Sequence, residues 1–127
     1  MVALGSCGPT GGANGRFCDV AKRLEASVDP VADAAVLTDQ ARLSRALDDR
    51  VAIYDALAAA APRAADDDAN RVKDGFVKIK VALANAGYRT DAVDTDPALK
   101  QALADGTFVA ARRSLGRTLT RTCGVAG

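Results

Sequence analysis

Histidine and tryptophan are both missing from this 127-residue chain. Histidine is the usual general base near neutral pH and the commonest metal ligand. Its absence excludes every His-dependent catalytic triad within the chain, while leaving Ser–Lys and paired-carboxylate chemistry open. Aromatics are scarce: Phe17, Tyr54, Phe76, Tyr88 and Phe108. A core must therefore be assembled mainly from Leu, Val, Ile and closely packed Ala. Neither sign of charge dominates, because 17 Lys and Arg face 16 Asp and Glu, for a formal net charge of +1. Bulk charge thus selects no partner. No hydrophobic run is long enough to span a bilayer. Met1 to Ser6 is also too short for the apolar region of a signal peptide, so a signal sequence is absent or truncated in this chain.

Alanine is abundant, and it is the strongest helix former because its side chain loses no entropy on folding. The length suits one domain with one modest core. The bias toward Ala, Arg, Asp and Val also matches the coding of a GC-rich bacterium. The first fifteen residues carry five glycines and no charged side chain, and residues 1–14 read as a flexible tail or linker.

Helical periodicity begins after it. Phe17, Ala21, Leu24 and Val28 predict a first helix over 15–27. Asp29-Pro30 is a start signal for a short helix over 30–37, with Asp as cap and Pro at the first position. Leu43, Leu47, Val51, Tyr54, Leu57 or Ala58, and Ala61 predict a long helix over 39–61, ended by Pro62. A third long helix is expected from Asp66-Asp67-Asp68, with Val72, Phe76, Ile79 and Leu83 inward and Gly87 as a left-handed stop. Asp96-Pro97 opens another short helix, closed by Gly106. Thr107 is placed as the cap of a last helix over 107–122, with Phe108, Ala111, Leu115 and Leu119 as its core stripe. Gly116 is a candidate for close packing there.

None of these helices can bury its stripe alone. The expected fold is therefore all-α: a four-helix bundle-like domain over 15–124 with one or two additional short helices, and residues 125–127 frayed. In an up-down bundle the first and last long helices run antiparallel, which carries Cys18 toward Cys123. A disulfide between them would remove about 4–5 kcal/mol of unfolded-state freedom for a loop of about 100 residues. A Cys18–Cys123 disulfide is therefore the expected pairing; the alternative is two small buried side chains in a reducing compartment. No Cys-x-x-Cys occurs, so thioredoxin-like exchange has little support.

The third cysteine stands apart. Leu4-Gly5-Ser6-Cys7 resembles the lipobox of bacterial lipoproteins, a leucine and small residues before the cysteine that receives lipid. The resemblance implies export and a lipid tether at Cys7, and with one disulfide it accounts for the odd cysteine count in an exported chain. A wider likeness rests on Cys18, Asp96-Pro97-Ala98-Leu99, Thr122-Cys123-Gly124, the Ala-rich segment Tyr54 to Pro62, and Leu83-Ala84-Asn85-Ala86-Gly87-Tyr88. Over about residues 17–124 these resemble uncharacterised exported proteins or lipoproteins of actinobacteria. That resemblance implies a helical fold and a cell-envelope location, on the outer face of the cytoplasmic membrane or beyond, and brings no catalytic residues.

Candidate chemistry is thin. Asp66-Asp67-Asp68 and the set Asp91, Asp94 and Asp96 have oxygen ligands suited to calcium, but neither has the glycine and terminal glutamate of an EF-hand loop. Both read more simply as helix starts. The glycine-rich tail lacks the Walker-loop spacing and its Lys-Ser or Lys-Thr. No cofactor is indicated. Most distinctive is the last helix: Arg112, Arg113, Arg117 and Arg121 follow Asp105 with no further acid, and Arg113, Arg117 and Arg121 recur every four residues. They fit an anionic partner or membrane surface, or simply the negative end of a helix. Nucleic acid is a poor match without interleaved aromatics or a reading motif. The expected function is a noncatalytic envelope protein presenting a helical surface to an envelope protein or anionic component. The alternatives are a carrier or sensor of a small apolar ligand held between helices, and a carboxylate-dependent hydrolase.

Overall fold

Apolar residues at helical spacing, punctuated by Pro, Gly and Asp, divide the chain into seven helices among residues 14–125, which are those the computed structural model describes. In chain order they are α1 (Gly15–Ala26), α2 (Ala34–Leu37), α3 (Gln40–Ala60), α4 (Arg63–Asn85), α5 (Ala92–Thr95), α6 (Pro97–Ala104) and α7 (Gly106–Cys123). No strand occurs among the described residues, so the protein is all-α. Cys7 and the rest of the N-terminal tail before Asn14 lie outside the described residues.

The four longer helices form an up-down ring. Lys73 reaches Asp55 and Lys80 reaches Asp48, so numbering falls along α3 as it rises along α4. The Cys18–Cys123 disulfide joins the start of α1 to the end of α7. Arg112, early in α7, meets Asp29 just past the end of α1, so those two helices are also antiparallel. Each long helix packs on two neighbours: α1 on α3 and α7, and α4 on α3 and α7. The short helices among the described residues number three, one more than expected; α6 packs on α4, and α5 packs on α6.

Burial follows the sequence pattern on α4 and α7 and is wider than that pattern on α3. On α4, Val72, Phe76, Ile79 and Leu83 are all buried, as are Phe108, Ala111, Leu115 and Leu119 on α7. α3 touches both α1 and α4, so its inner face is wider than one stripe. Ala46, Arg50 and Ile53 join Leu43, Leu47, Tyr54 and Leu57 in the interior, while Val51, Ala58 and Ala61 are half-buried. Val28, expected inward, is 46% exposed because α1 has already ended at Ala26. Three of the scarce aromatics meet at the centre. Tyr54 stacks on Phe76 at 5.3 Å between ring centres, and Phe108 stands edge-on to Phe76 at 5.2 Å.

Helix ends sharpen several expectations. α4 starts at Arg63, three residues before the acidic run, because the Pro62 carbonyl accepts the amides of Ala65 and Asp66. Thr107 is not the cap of α7: the helix begins at Gly106 and the Asp105 carboxylate accepts the Phe108 amide at 3.0 Å. A carboxylate at this position also opposes the positive helix end, which a threonine hydroxyl cannot do. Asp96 caps α6 through the Leu99 amide, as expected. The segment after Asp29-Pro30 forms a turn, and helix resumes only at Ala34. Gly87 and Tyr88 are both left-handed, at φ 67° and 54°. The Tyr88 amide bonds the Leu83 carbonyl and the Gly87 amide bonds that of Ala84, closing α4 in a Schellman motif.

A close approach that the sequence reading did not anticipate occurs at Gly75. A Cβ at Gly75 would lie 2.0 Å from Phe108 Cδ1, so only glycine lets the phenyl ring sit against the α4 backbone. Of the segment 125–127, expected to be frayed, only Val125 is among the described residues. Left-handed Gly124 bonds back to the Thr120 carbonyl, and Val125 is buried with its carbonyl accepting from the Thr120 hydroxyl at 2.9 Å.

Candidate functional site

α7 is the long helix whose charges carry a single sign: its four arginines have no acid among them, whereas α1, α3 and α4 each mix both signs. Helical phase divides those arginines into two groups. Phe108, Ala111, Leu115, Thr118 and Leu119 define the buried side of α7. At 100° per residue, Arg113, Arg117 and Arg121 lie around the opposite crest, and all three are exposed. Arg121 also donates to the Thr118 hydroxyl at 3.5 Å. Among the described residues, none of the three makes an ion pair.

Arg112 is different, and its place in a surface patch needs correcting. It sits at the flank of the buried side, one turn after Phe108. Its guanidinium donates to the Asp29 carboxylate at 3.0 Å and lies 5.3 Å and 5.9 Å from the Phe76 and Phe108 ring centres. Planar, delocalised arginine suits this combination of carboxylate and ring faces. Arg50, 7% exposed on α3, donates to the Val28 carbonyl at 3.2 Å. Two arginines from opposite sides of the ring therefore hold the corner after α1. Sequence reading missed this corner clamp. The available signal was phase: Arg112 follows Phe108 by four residues and precedes Leu115 by three.

The cysteine pair is brought together. Cys18 and Cys123 form a disulfide with their Cα atoms 5.2 Å apart. The acidic candidates are dispersed among local duties. Asp66 accepts from the Asn70 amide, Asp91 pairs with Arg89 and Asp96 caps α6. Among the described residues, no group of three His, Cys, Asp or Glu side chains is placed to hold a metal ion. Lys80 is displaced from its ordinary value of 10.5: its hydrogen bond to Asp48, and then the charge of that carboxylate, hold it higher.

Two surface clefts flank α4. A groove of about 440 Å³ between α4 and α6 is lined by Val77, Val81, Ala82, Ala98 and Ala102, with Lys78 and Asp105 at its edge. Val77 and Val81 are 39% and 53% exposed there. Next to it, a smaller cleft of about 180 Å³ is bordered by Arg71, Asp74, Lys78 and Asp105 over Gly75 and Phe108. Among the described residues, no helix is long and apolar enough to cross a membrane. The chain matches no protein-family model, no curated protein and no solved structure.

Proposed function

We propose that this is a noncatalytic cell-envelope protein, tethered through Cys7, which presents the outer face of α7 to an anionic envelope component. The carrying observation is the row Arg113, Arg117 and Arg121: exposed, of one sign, and paired to no carboxylate among the described residues. Two features support the location. A disulfide closing the domain suits an oxidising compartment, and Leu4-Gly5-Ser6-Cys7 resembles a lipobox, in keeping with the likeness to exported actinobacterial proteins.

The test is co-sedimentation of the purified chain with bacterial envelope fragments at low salt. The wild type pellets with the fragments, and R113Q/R117Q/R121Q stays in the supernatant. Equal pelleting of both proteins would remove α7 from the role. A carrier of a small apolar ligand is the second reading. The exposed Val77 and Val81 favour it, and the α4–α6 groove is its site. Native mass spectrometry of protein taken from its own compartment checks it, and repeated spectra without a ligand-sized addition count against it.

A further inference from the structure

We infer that the anionic component met by α7 is the phosphate layer of a lipid bilayer, with the helix lying along anionic phospholipid headgroups and α3 turned away. This rests on the reading that α7 is the presented surface, and adds what it is presented to.

The helix dipole does not account for the row. Its influence fades within the last turn, so it rationalises Arg121 but not Arg113, more than two turns before the end of α7 at Cys123. Arg113–Arg117 and Arg117–Arg121 are like-charge pairs at i, i+4, which weaken a helix unless an anion lies against them. No carboxylate is paired to them among the described residues, so the row is open to an anion from outside the chain.

The shape of the site selects among anionic partners. The row runs along the crest of α7 for about 12 Å, three guanidiniums one turn apart. A flat surface tangent to the bundle touches all three together. Among the described residues the exposed large apolar side chains are Val28, Val77, Val81 and Val109, of which Val109 alone belongs to α7. A protein partner needs desolvated anchors at its centre, which this crest does not offer. Headgroup phosphates need none: they are met by exposed guanidiniums, which bind phosphate in a bidentate manner. α7 packs on α1 and α4 in the ring, so α3 lies across the bundle and faces away from the lipid.

The test uses the full chain, disulfide intact, with vesicles of phosphatidylcholine alone or mixed with an equal part of phosphatidylglycerol. At low salt the wild type partitions onto the mixed vesicles and not onto phosphatidylcholine. R113Q/R117Q/R121Q binds about 100-fold more weakly, each arginine contributing about fivefold, while keeping wild-type helicity by circular dichroism. Raising salt toward 1 M, where the screening length falls to about 3 Å, releases the wild type. Substituting all three by lysine retains most of the binding, since the contact is governed by charge. Equal partition of the wild type and the glutamine variant, or no preference for phosphatidylglycerol, overturns the inference. Arginine-dependent pelleting with envelope fragments that protease treatment of the fragments abolishes, together with no vesicle binding, assigns the surface to a protein. That result overturns the lipid assignment and leaves the reading of α7 standing.

Discussion

Replacing Gly75 by alanine sets two magnitudes against each other. In an exposed helix interior the change from glycine to alanine is worth about 1 kcal/mol in favour of the folded state. Gly75 is buried inside α4, and its added methyl would lie 2.0, 2.7 and 2.8 Å from three carbons of the Phe108 ring. Ordinary contact between carbons lies at about 3.5–4.0 Å. The ring has little room to yield: Phe108 is buried, stands edge-on to Phe76, and carries the Arg112 guanidinium over its face. Overpacking of this kind costs about 1–3 kcal/mol, and so deep an overlap belongs at the upper end. The expected result for Gly75→Ala is a net loss of about 2 kcal/mol, read as a lower urea midpoint with unchanged slope. It corresponds to a fall in Tm of about 7 °C for a domain of this size. Phe108→Leu relieves the overlap, so G75A/F108L should be more stable than the sum of the single losses. An alanine variant as stable as the wild type, or more so, would refute the packing of α4 on α7 described here.

Four further outcomes follow from the same structure. C18A/C123A should lose about 4–5 kcal/mol, because the crosslink spans 105 residues of sequence; equal melting of the oxidised wild type and this variant would rule out the closing role. Arg112→Met should cost about 1–2 kcal/mol, by loss of its carboxylate and ring contacts, whereas Arg113→Met should stay within about 0.5 kcal/mol. Chemical denaturation of the two side by side checks the separation of the clamp from the surface row. Asp105→Ala should cost about 1 kcal/mol, with Thr107→Ala close to neutral, since the carboxylate and not the hydroxyl caps α7. Lys80 is held above 10.5 by Asp48. Its contribution to stability is therefore complete below that pH and is lost as pH rises through the raised value. An NMR titration of Lys80 reads the displacement, and Asp48→Asn should return it toward 10.5.

Much of the fold was legible from local chemistry. The stripes of α4 and α7 were read correctly because their large apolar residues recur at helical spacing and are all buried. Asp96-Pro97 and Gly87 announced helix ends through groups that act within a few residues. Legibility failed where two elements meet. The inner face of α3 was too narrow in the sequence reading because its second neighbour, α1, leaves no local trace. Thr107 and Asp105 are both competent caps, and the choice depended on where the chain turns into α7. Arg112 looked like one more member of a basic run until Asp29, Phe76 and Phe108 closed around it. The same geometry left Arg113, Arg117 and Arg121 on the outside.

By itself, the sequence determined what short-range physics can determine. Alanine-rich stretches with a 3.6-residue period require helices, several amphipathic helices require mutual burial, and a chain without histidine lacks the commonest catalytic base. Tertiary structure alone decided which residues share a neighbourhood. It brought the ends of α1 and α7 into one disulfide, selected Gly75 as the point where a ring meets backbone, and separated one clamped arginine from three outward ones. Those outcomes depend on how whole helices are oriented against each other, and residues far apart in the chain carry no local record of that.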